Sequence, residues 1–411
     1  MERLIFHVDV NSAFLSWEAA KRVKEGLPDL REIPSCIGGD PKLRRSIVVA
    51  KSIPAKKYGV TTGEPVALAL RKCPDLVCVP GDFALYQRCS RAFKEICASY
   101  APAMESFSID EVFLDMTGTH LIYPDPVAVA HEIKDKIRDE LGFTVNVGIG
   151  TNKLLAKMAS DFEKPDKVHT LFPSEIPEKM WPLPISDLFM AGHSSVETLR
   201  KLEIQTIGDL AKADPKLIEL HLKSHGRRLW EFANGMDDSI VESEKAEAKG
   251  VGNSTTLSKD VSTKEDAQKV LLSLAQSVGG RLRKHGYHAG VVNVEIKYAD
   301  FTVNSHQKQL ERMTASDQVI YQIAVELFCE MWNGKPIRLL GIRTSKLSQE
   351  GEPQQLSLFD LNFHSSDNIS EEVKSFENSQ KHEKLDQALD EIRKKFGPPE
   401  IRETGWPVSE P

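Results

Sequence analysis

One ten-residue run limits what this chain can become: Ser106-Phe107-Ser108-Ile109-Asp110-Glu111-Val112-Phe113-Leu114-Asp115. Ile109, Val112, Phe113 and Leu114 favour extended backbone, so the run reads as a β-strand or a tight hairpin. Two adjacent carboxylates in so apolar a setting are costly, because a desolvated charge needs a partner. A divalent cation satisfies both at once. A solvent-facing hairpin turn, which acidic residues also favour, is the alternative, and the run alone leaves both open.

A second run adds weight to the first reading. Leu4-Ile5-Phe6-His7-Val8-Asp9-Val10 is also strand-like and delivers a carboxylate, followed by Asn11-Ser12-Ala13-Phe14. Two strands that bring acids to one point make a hard-oxygen site suited to Mg²⁺. Three carboxylates can hold two such ions, an arrangement that serves in-line phosphoryl displacement. The expectation is metal-dependent nucleotidyl transfer.

At 411 residues the chain exceeds one ordinary core, which implies three or four domains. Its 40% apolar and 27% charged content is that of a soluble globular protein. Met1-Glu2-Arg3 leads straight into a strand, and no apolar run is long enough to span a bilayer, so a cytoplasmic location without a membrane is expected. The six cysteines lack C-x-x-C or zinc spacing and read as buried reduced thiols. A net charge of -7 argues at first against a nucleic-acid partner, but its distribution matters more. Residues 351–411 carry a net of -6, whereas residues 253–349 hold 13 bases and 9 acids. A locally basic module beside an acidic tail is compatible with a phosphate backbone.

Along the chain, residues 12–26 read as a helix stopped by Gly26-Leu27-Pro28, and 44–51 as a strand. Ser52-Ile53-Pro54-Ala55-Lys56-Lys57 follows as a basic turn, which either meets a triphosphate or is simply exposed. Helices over 83–99 and 126–141 flank the acidic run, and a strand at 144–150 precedes a helix that opens at Thr151-Asn152-Lys153. That order fits an α+β sheet covered by two helices on one face. Short helices follow from Ile185. The turn Gly192-His193-Ser194 could aim backbone N–H groups at a phosphate, or be an ordinary helical hairpin. Residues 238–252 read as a linker. A separate α+β domain follows: a strand at 254–257, a helix at 264–285, a strand at 289–299, a helix at 316–333 and a strand at 337–347. Residues 348–376 are rich in Ser, Gln, Glu and Asn, so a disordered stretch in a largely disordered acidic tail is expected, with an apolar island at Gln355-Leu356-Ser357-Leu358-Phe359 that reads as a docking peptide. An amphipathic helix over 380–397 ends the tail.

Taken in order, these runs resemble the Y-family, lesion-bypass DNA polymerases of the DinB (DNA polymerase IV) class, over residues 1–350 and the tail. The resemblance rests on Asp9-Val10-Asn11-Ser12-Ala13-Phe14, Pro54-Ala55-Lys56-Lys57-Tyr58-Gly59-Val60 and Ser108-Ile109-Asp110-Glu111. It rests also on 147–157 (Val147-Gly148-Ile149-Gly150-Thr151-Asn152-Lys153 onward), Lys164-Pro165 and the helical hairpin. It implies a right-hand polymerase: palm at 1–12 and 79–171, fingers at 13–78, helical thumb at 172–237, linker at 238–252, little finger at 253–348, and tail at 349–411. It implies that Asp9, Asp110 and Glu111, with the Val10 carbonyl, hold two Mg²⁺ ions, with Mn²⁺ able to substitute. Phe14 matches the steric gate. Asn11, Ser12, Ala13, Ser52, Lys56 and Lys164 match the dNTP site. Gly192, His193 and Ser194 match a DNA-backbone contact. Gln355, Leu358 and Phe359 match the peptide that docks on the sliding (beta) clamp, the alternative being a tail peptide packed on its own domain. Ile53 and Lys56 stand where many relatives carry Tyr and Arg, and lysine lacks the bidentate fork. Ala13 stands where relatives often have a large ring. The implied enzyme extends primer-template DNA with dNTPs at low processivity, as a monomer, in translesion synthesis.

Two rival functions remain. A nucleotidyl cyclase also sets carboxylates and two metals on a palm-like sheet, but it needs no phosphate-gripping hairpin, basic fourth domain or clamp peptide. A catalytically weak, clamp-bound accessory protein would have shed one or more acids, and all three remain.

Overall fold

The computed structural model describes residues 3–244, 247–349, 385–391 and 395. The chain divides into two compact units, residues 1–41 with 46–245, and residues 42–45 with 246–411.

The first unit runs β1 (Ile5–Val10), α1 (Ala13–Lys24), β2 (Ser35–Gly38), β3 (Val48–Lys51), α2 (Ile53–Lys57), α3 (Val66–Lys72), β4 (Val77–Val79) and α4 (Phe83–Ala98). It continues through β5 (Ala103–Ser106), β6 (Glu111–Asp115), α5 (Pro126–Leu141), β7 (Val145–Gly150), α6 (Lys153–Ser160) and β8 (Val168–Leu171). Three helices close it: α7 (His193–Lys201), α8 (Ile207–Lys212) and α9 (Pro215–Ala233).

Its main sheet has the order β5-β6-β1-β7-β8, with β1 central and antiparallel to both neighbours. The acidic run is a tight hairpin: β5 pairs with β6 around a turn that includes Asp110. Strand side chains alternate between the two faces. Phe6, Val8 and Val10 of β1, Val112 and Leu114 of β6, and Val147 and Ile149 of β7 therefore share one face. They bury there with residues of α1, α4 and α5. Phe6, Trp17 and Phe93 are fully buried in this core, each contributing about 1.5–3 kcal/mol relative to exposure. The residues of opposite parity (Ile5, His7, Asp9, Glu111, Phe113, Asn146, Gly148) meet α6 on the other face. The paired positions Asp9↔Glu111, His7↔Phe113 and His7↔Gly148 follow from the register.

Helix α5 begins and ends where its sequence says. The Asp125 carboxylate accepts from the N–H groups of Val127 and Ala128, Pro126 occupies the first turn, and Gly142 follows with φ of 81°. Helix α6 packs unusually close to β7. A Cβ on Gly148 would lie 2.0 Å from the Ala156 carbonyl oxygen and 2.4 Å from the Ser160 nitrogen, so only glycine fits there. The far side of α6 (Leu154, Leu155, Met158, Ala159) shares a core with α7, α8 and α9. A small sheet β3-β2-β4 with its own core completes the unit.

The second unit comprises β9 (Gly250–Val261), α10 (Lys264–Lys284), β10 (Tyr287–Tyr298), β11 (Val303–Thr314), α11 (Asp317–Met331) and β12 (Ile337–Gln349). Its antiparallel sheet has the order β11-β10-β12-β9. Val292, Val294 and Ile296 of β10 face α10 and α11 in one core. β9 begins at Gly250, inside the stretch expected to be linker, and runs well past Leu257. β11 was not expected at all. It is a nearly fully exposed edge strand of polar residues, so no alternating apolar signal marks it. The helical turn at 385–391 belongs to this unit: the Asp386 carboxylate accepts from the Asp317 N–H at 3.0 Å, and Asp390 pairs with the Arg283 guanidinium at 2.7 Å.

Of the cysteines, Cys36, Cys73 and Cys97 are buried thiols, while Cys329 is exposed, contrary to the expectation of uniform burial. Among the described residues no helix is long and apolar enough to cross a membrane.

Candidate active site

The carboxylates expected from sequence gather at one end of the β1–β6 pair. Asp9, the last residue but one of β1, lies opposite Glu111, and Asp110 precedes Glu111 in the hairpin turn, where its carbonyl accepts from the Val10 N–H at 3.0 Å. The Asp110 carboxylate is held by the Ser108 hydroxyl at 2.6 Å.

Each of the other two acids meets a lysine. Asp9 is buried, which pushes its carboxyl above the usual range, opposed by the ammonium groups of Lys164 and Lys157. Lys164 contacts Asp9 directly and Asp161 at 2.8 Å. Burial also pushes Glu111 upward, but the His7 ring N–H, with the charge and hydrogen bond of Lys157, wins and holds it at about 2. Lys157 Nζ lies 2.9 Å from Glu111 Oε2 and His7 Nε2 lies 3.1 Å from the same oxygen. His7 is itself fully buried, which lowers its pKa and keeps the ring neutral. Since a carboxylate only accepts, the proton is assigned to Nε2. Nδ1 lies 2.8 Å from the Ser160 hydroxyl, whose single proton is shared between that nitrogen and the Lys157 carbonyl, also at 2.8 Å.

The loop between Asp9 and Phe14 is tightly held. Asn11 is buried; its amide donates to Asn146 Oδ1 at 3.1 Å and its side-chain oxygen accepts from the Asp166 N–H at 3.0 Å. Ser12 is exposed and adopts the left-handed conformation (φ 47°) just before α1, a conformation that costs a non-glycine residue about 1 kcal/mol. Ala13 is buried. Phe14 is half-buried and braced by three rings: Tyr86 at 4.9 Å, Trp17 at 5.8 Å edge-on and Phe83 at 6.4 Å between centroids.

The basic turn separates into two roles. The Ser52 hydroxyl is committed to the fold: it caps α2 by accepting from the Ala55 N–H, accepts from the Ser35 N–H at 3.1 Å, and donates to the Ile33 carbonyl at 2.7 Å. Any nucleotide contact by that hydroxyl would have to displace one of these bonds. Lys56 is exposed on α2, and Ile53 is 60% exposed. Gly192 precedes α7, with His193 and Ser194 exposed in its first turn. The 355–359 peptide lies outside the described residues.

Sequence reasoning missed His7, Lys157 and Ser160. The signal was available: His7 has the same strand parity as Asp9, and Lys157 follows Lys153 by one helical turn.

The donors are all oxygens on adjacent backbone positions, which suits a hard divalent cation rather than a softer one. Among the described residues, no three acidic, His or Cys side chains converge into a closed metal-holding group. Asp9 and Glu111 are instead paired with lysines, and Asp110 with Ser108.

This fold is that of the Y-family DNA polymerases. A solved Y-family DNA polymerase chimera of Dbh and Dpo4 superposes with a TM-score of 0.75 over 84% of this chain and 100% of that one, at 21% identity. Residues 8–161 match the impB/mucB/samB family and residues 248–358 match its C-terminal domain. A DNA polymerase IV of Clostridium acetobutylicum is 44% identical over 398 residues, covering 97% of this chain and 96% of that protein. DNA polymerase IV 1 of Bacillus subtilis is 37% identical over 402 residues, covering 97% and 92%. The chain belongs to the impB/mucB/samB family of bacterial DNA polymerases IV, and its enzyme class is DNA-directed DNA polymerase. Enzymes of this family generally use divalent metal ions.

Proposed function

We propose that this protein extends a DNA primer with deoxynucleotides opposite a template, at low processivity, in translesion synthesis. The observation that carries the reading is the register of β1 against β6, which sets Asp9 opposite Glu111 with Asp110 beside them. In this reading Asp9, Asp110 and Glu111, with the Val10 carbonyl, hold two divalent ions, Mg²⁺ or Mn²⁺. When bound, these ions would acidify the primer 3′-hydroxyl and neutralise the triphosphate. The chain's own groups do the rest. Lys164, beside Asp9, and Lys56, exposed on α2, bind the triphosphate. Phe14, braced by Tyr86 and Trp17, closes the space a ribose 2′-hydroxyl would need, so that its bulk selects against ribonucleotides. Ser12 and Ala13 line the nucleotide, with Asn11 fixing their loop from behind.

Residues 1–12 and 79–171 act as palm, 13–78 as fingers, 172–237 as thumb and 253–348 as little finger, with 238–252 as linker. The first turn of α7, with Gly192, His193 and Ser194, meets the DNA backbone through N–H groups. The little-finger sheet face away from α10 and α11 is an open polar trough lined by Asn253, Asn293, Gln307, Arg343 and Ser345 with one acid, Glu295, and its amides, hydroxyl and guanidinium are the groups that would meet a phosphate backbone. Gln355, Leu358 and Phe359 dock on the sliding clamp, and the enzyme works as a monomer at the nucleoid.

The test is Asp110→Asn. Primer extension is lost while primer-template affinity stays at the wild-type level, because the acid acts on chemistry and not on DNA binding. Normal extension by this variant would sink the proposal.

A further inference from the structure

Among the buried polar groups that the proposed chemistry leaves unused, His7 lies nearest the acids. Position 7 sits in β1 between Phe6 and Val8, and all three are fully buried. An apolar residue would fill that space without the cost of desolvating an imidazole. His7 instead bonds at both ring nitrogens, with Nε2 at 3.1 Å from Glu111 Oε2 and Nδ1 at 2.8 Å from Ser160 Oγ. The Phe113 ring packs against it at 4.6 Å, which restricts its rotation. Ser160 reaches it only because Gly148 lets α6 approach β7 so closely.

We propose that His7 is a positioning residue that orients the Glu111 carboxylate for the reaction. The inference rests on the reading of Glu111 as a member of the acidic site. Glu111, which only accepts, sets the tautomer of His7, and the His7 N–H aimed at Oε2 fixes the carboxylate while Oε1 stays outside that bond. Lys157 shares Oε2 at 2.9 Å, but its long stem also reaches Asp161 at 3.6 Å and imposes little direction. The imidazole, locked in the strand, fixes geometry. A carboxylate that holds a cation gains from such a partner, whose loss typically costs 10–100-fold in affinity or activity.

The experiment compares His7→Phe, which keeps a planar ring and loses both bonds, with His7→Gln, whose amide N–H can take the place of Nε2. Single-nucleotide incorporation and binding of Mn²⁺ to the protein–DNA complex, read by electron paramagnetic resonance, are measured for each. His7→Phe should lower kcat by about 10–100-fold and weaken Mn²⁺ binding. Its KM for dNTP and its DNA affinity should not change, and His7→Gln should recover most of both losses. Wild-type kcat and Mn²⁺ binding in His7→Phe, or equal impairment of the two variants, overturns the proposal. If His7→Phe fails to fold, Ser160→Ala takes its place: weakened Mn²⁺ binding supports the role and unchanged binding overturns it. Glu111→Ala separates the two levels. Full activity in that variant defeats the reading of the acidic site itself. Its loss alongside a wild-type His7→Phe defeats the positioning role alone.

Discussion

Replacing Gly148 by alanine should damage this protein in a way that can be worked out from the packing of α6 on β7. The added methyl would sit 2.0 Å from the Ala156 carbonyl oxygen. Carbon–oxygen contacts settle near 3.4 Å or beyond, so α6 must retreat by roughly 1.5 Å. Three hydrogen bonds span the gap it opens, among them Lys157 to Glu111 at 2.9 Å and Ser160 to His7 at 2.8 Å. The third, from Asn146 to the Ser160 carbonyl, is 3.0 Å. Each would pass beyond hydrogen-bond range. Overpacking costs about 1–3 kcal/mol, the lost charge-assisted bond about 1.5–3 kcal/mol and the two other bonds about 0.5–1.5 kcal/mol each, for a total of about 6 kcal/mol. For a unit of this size that lowers Tm by roughly 15 °C. Calorimetric melting reads the difference, with Gly192→Ala as control, since a Cβ there meets nothing within 4 Å. A Gly148→Ala protein that melts with the control would refute the close-packing argument.

Three further outcomes are open to measurement. Phe14→Ala should raise incorporation of ribonucleotides relative to deoxynucleotides, because it removes the ring that Tyr86 and Trp17 brace; an unchanged ratio in a competition assay places the gate elsewhere. Deleting residues 355–359 should reduce extension only when the clamp is loaded, and an equal loss without clamp would make the peptide structural. Glu111 is held at about 2 against 4.5 for a free glutamate. Such a depressed group stabilises the fold fully above pH 4.5, and that contribution disappears as pH falls through 2. The difference amounts to at most about 3 kcal/mol. Glu111→Gln should therefore flatten the loss of stability between pH 5 and about 2 in urea unfolding, and parallel slopes would contradict it.

Much of the first unit is legible in the residues themselves. The parity of β1 tells which residues enter the core and which meet α6, and the cap, proline and glycine of α5 mark its ends. Of the sheet β3-β2-β4 only β3 is legible, inside the strand expected over 44–51, because β2 and β4, of four and three residues, carry too little periodicity. β11 escapes for a different reason: exposed on nearly all its length, it owes its extended form to β10 rather than to its own side chains. At the site, the acids declare themselves because charge in an apolar strand is rare. Strand parity puts His7 on the side of Asp9 and helical spacing aligns Lys157 with Lys153, but that these two meet each other and Ser160 depends on a helix and a strand that come together only in three dimensions.

The most direct test of this account is incorporation of a single dNTP on a primed template with Mg²⁺ by the wild-type chain and by Glu111→Ala. The wild type should add the templated nucleotide, and the variant should be slower by at least about two orders of magnitude with DNA affinity retained. Addition at the wild-type rate by Glu111→Ala would contradict it.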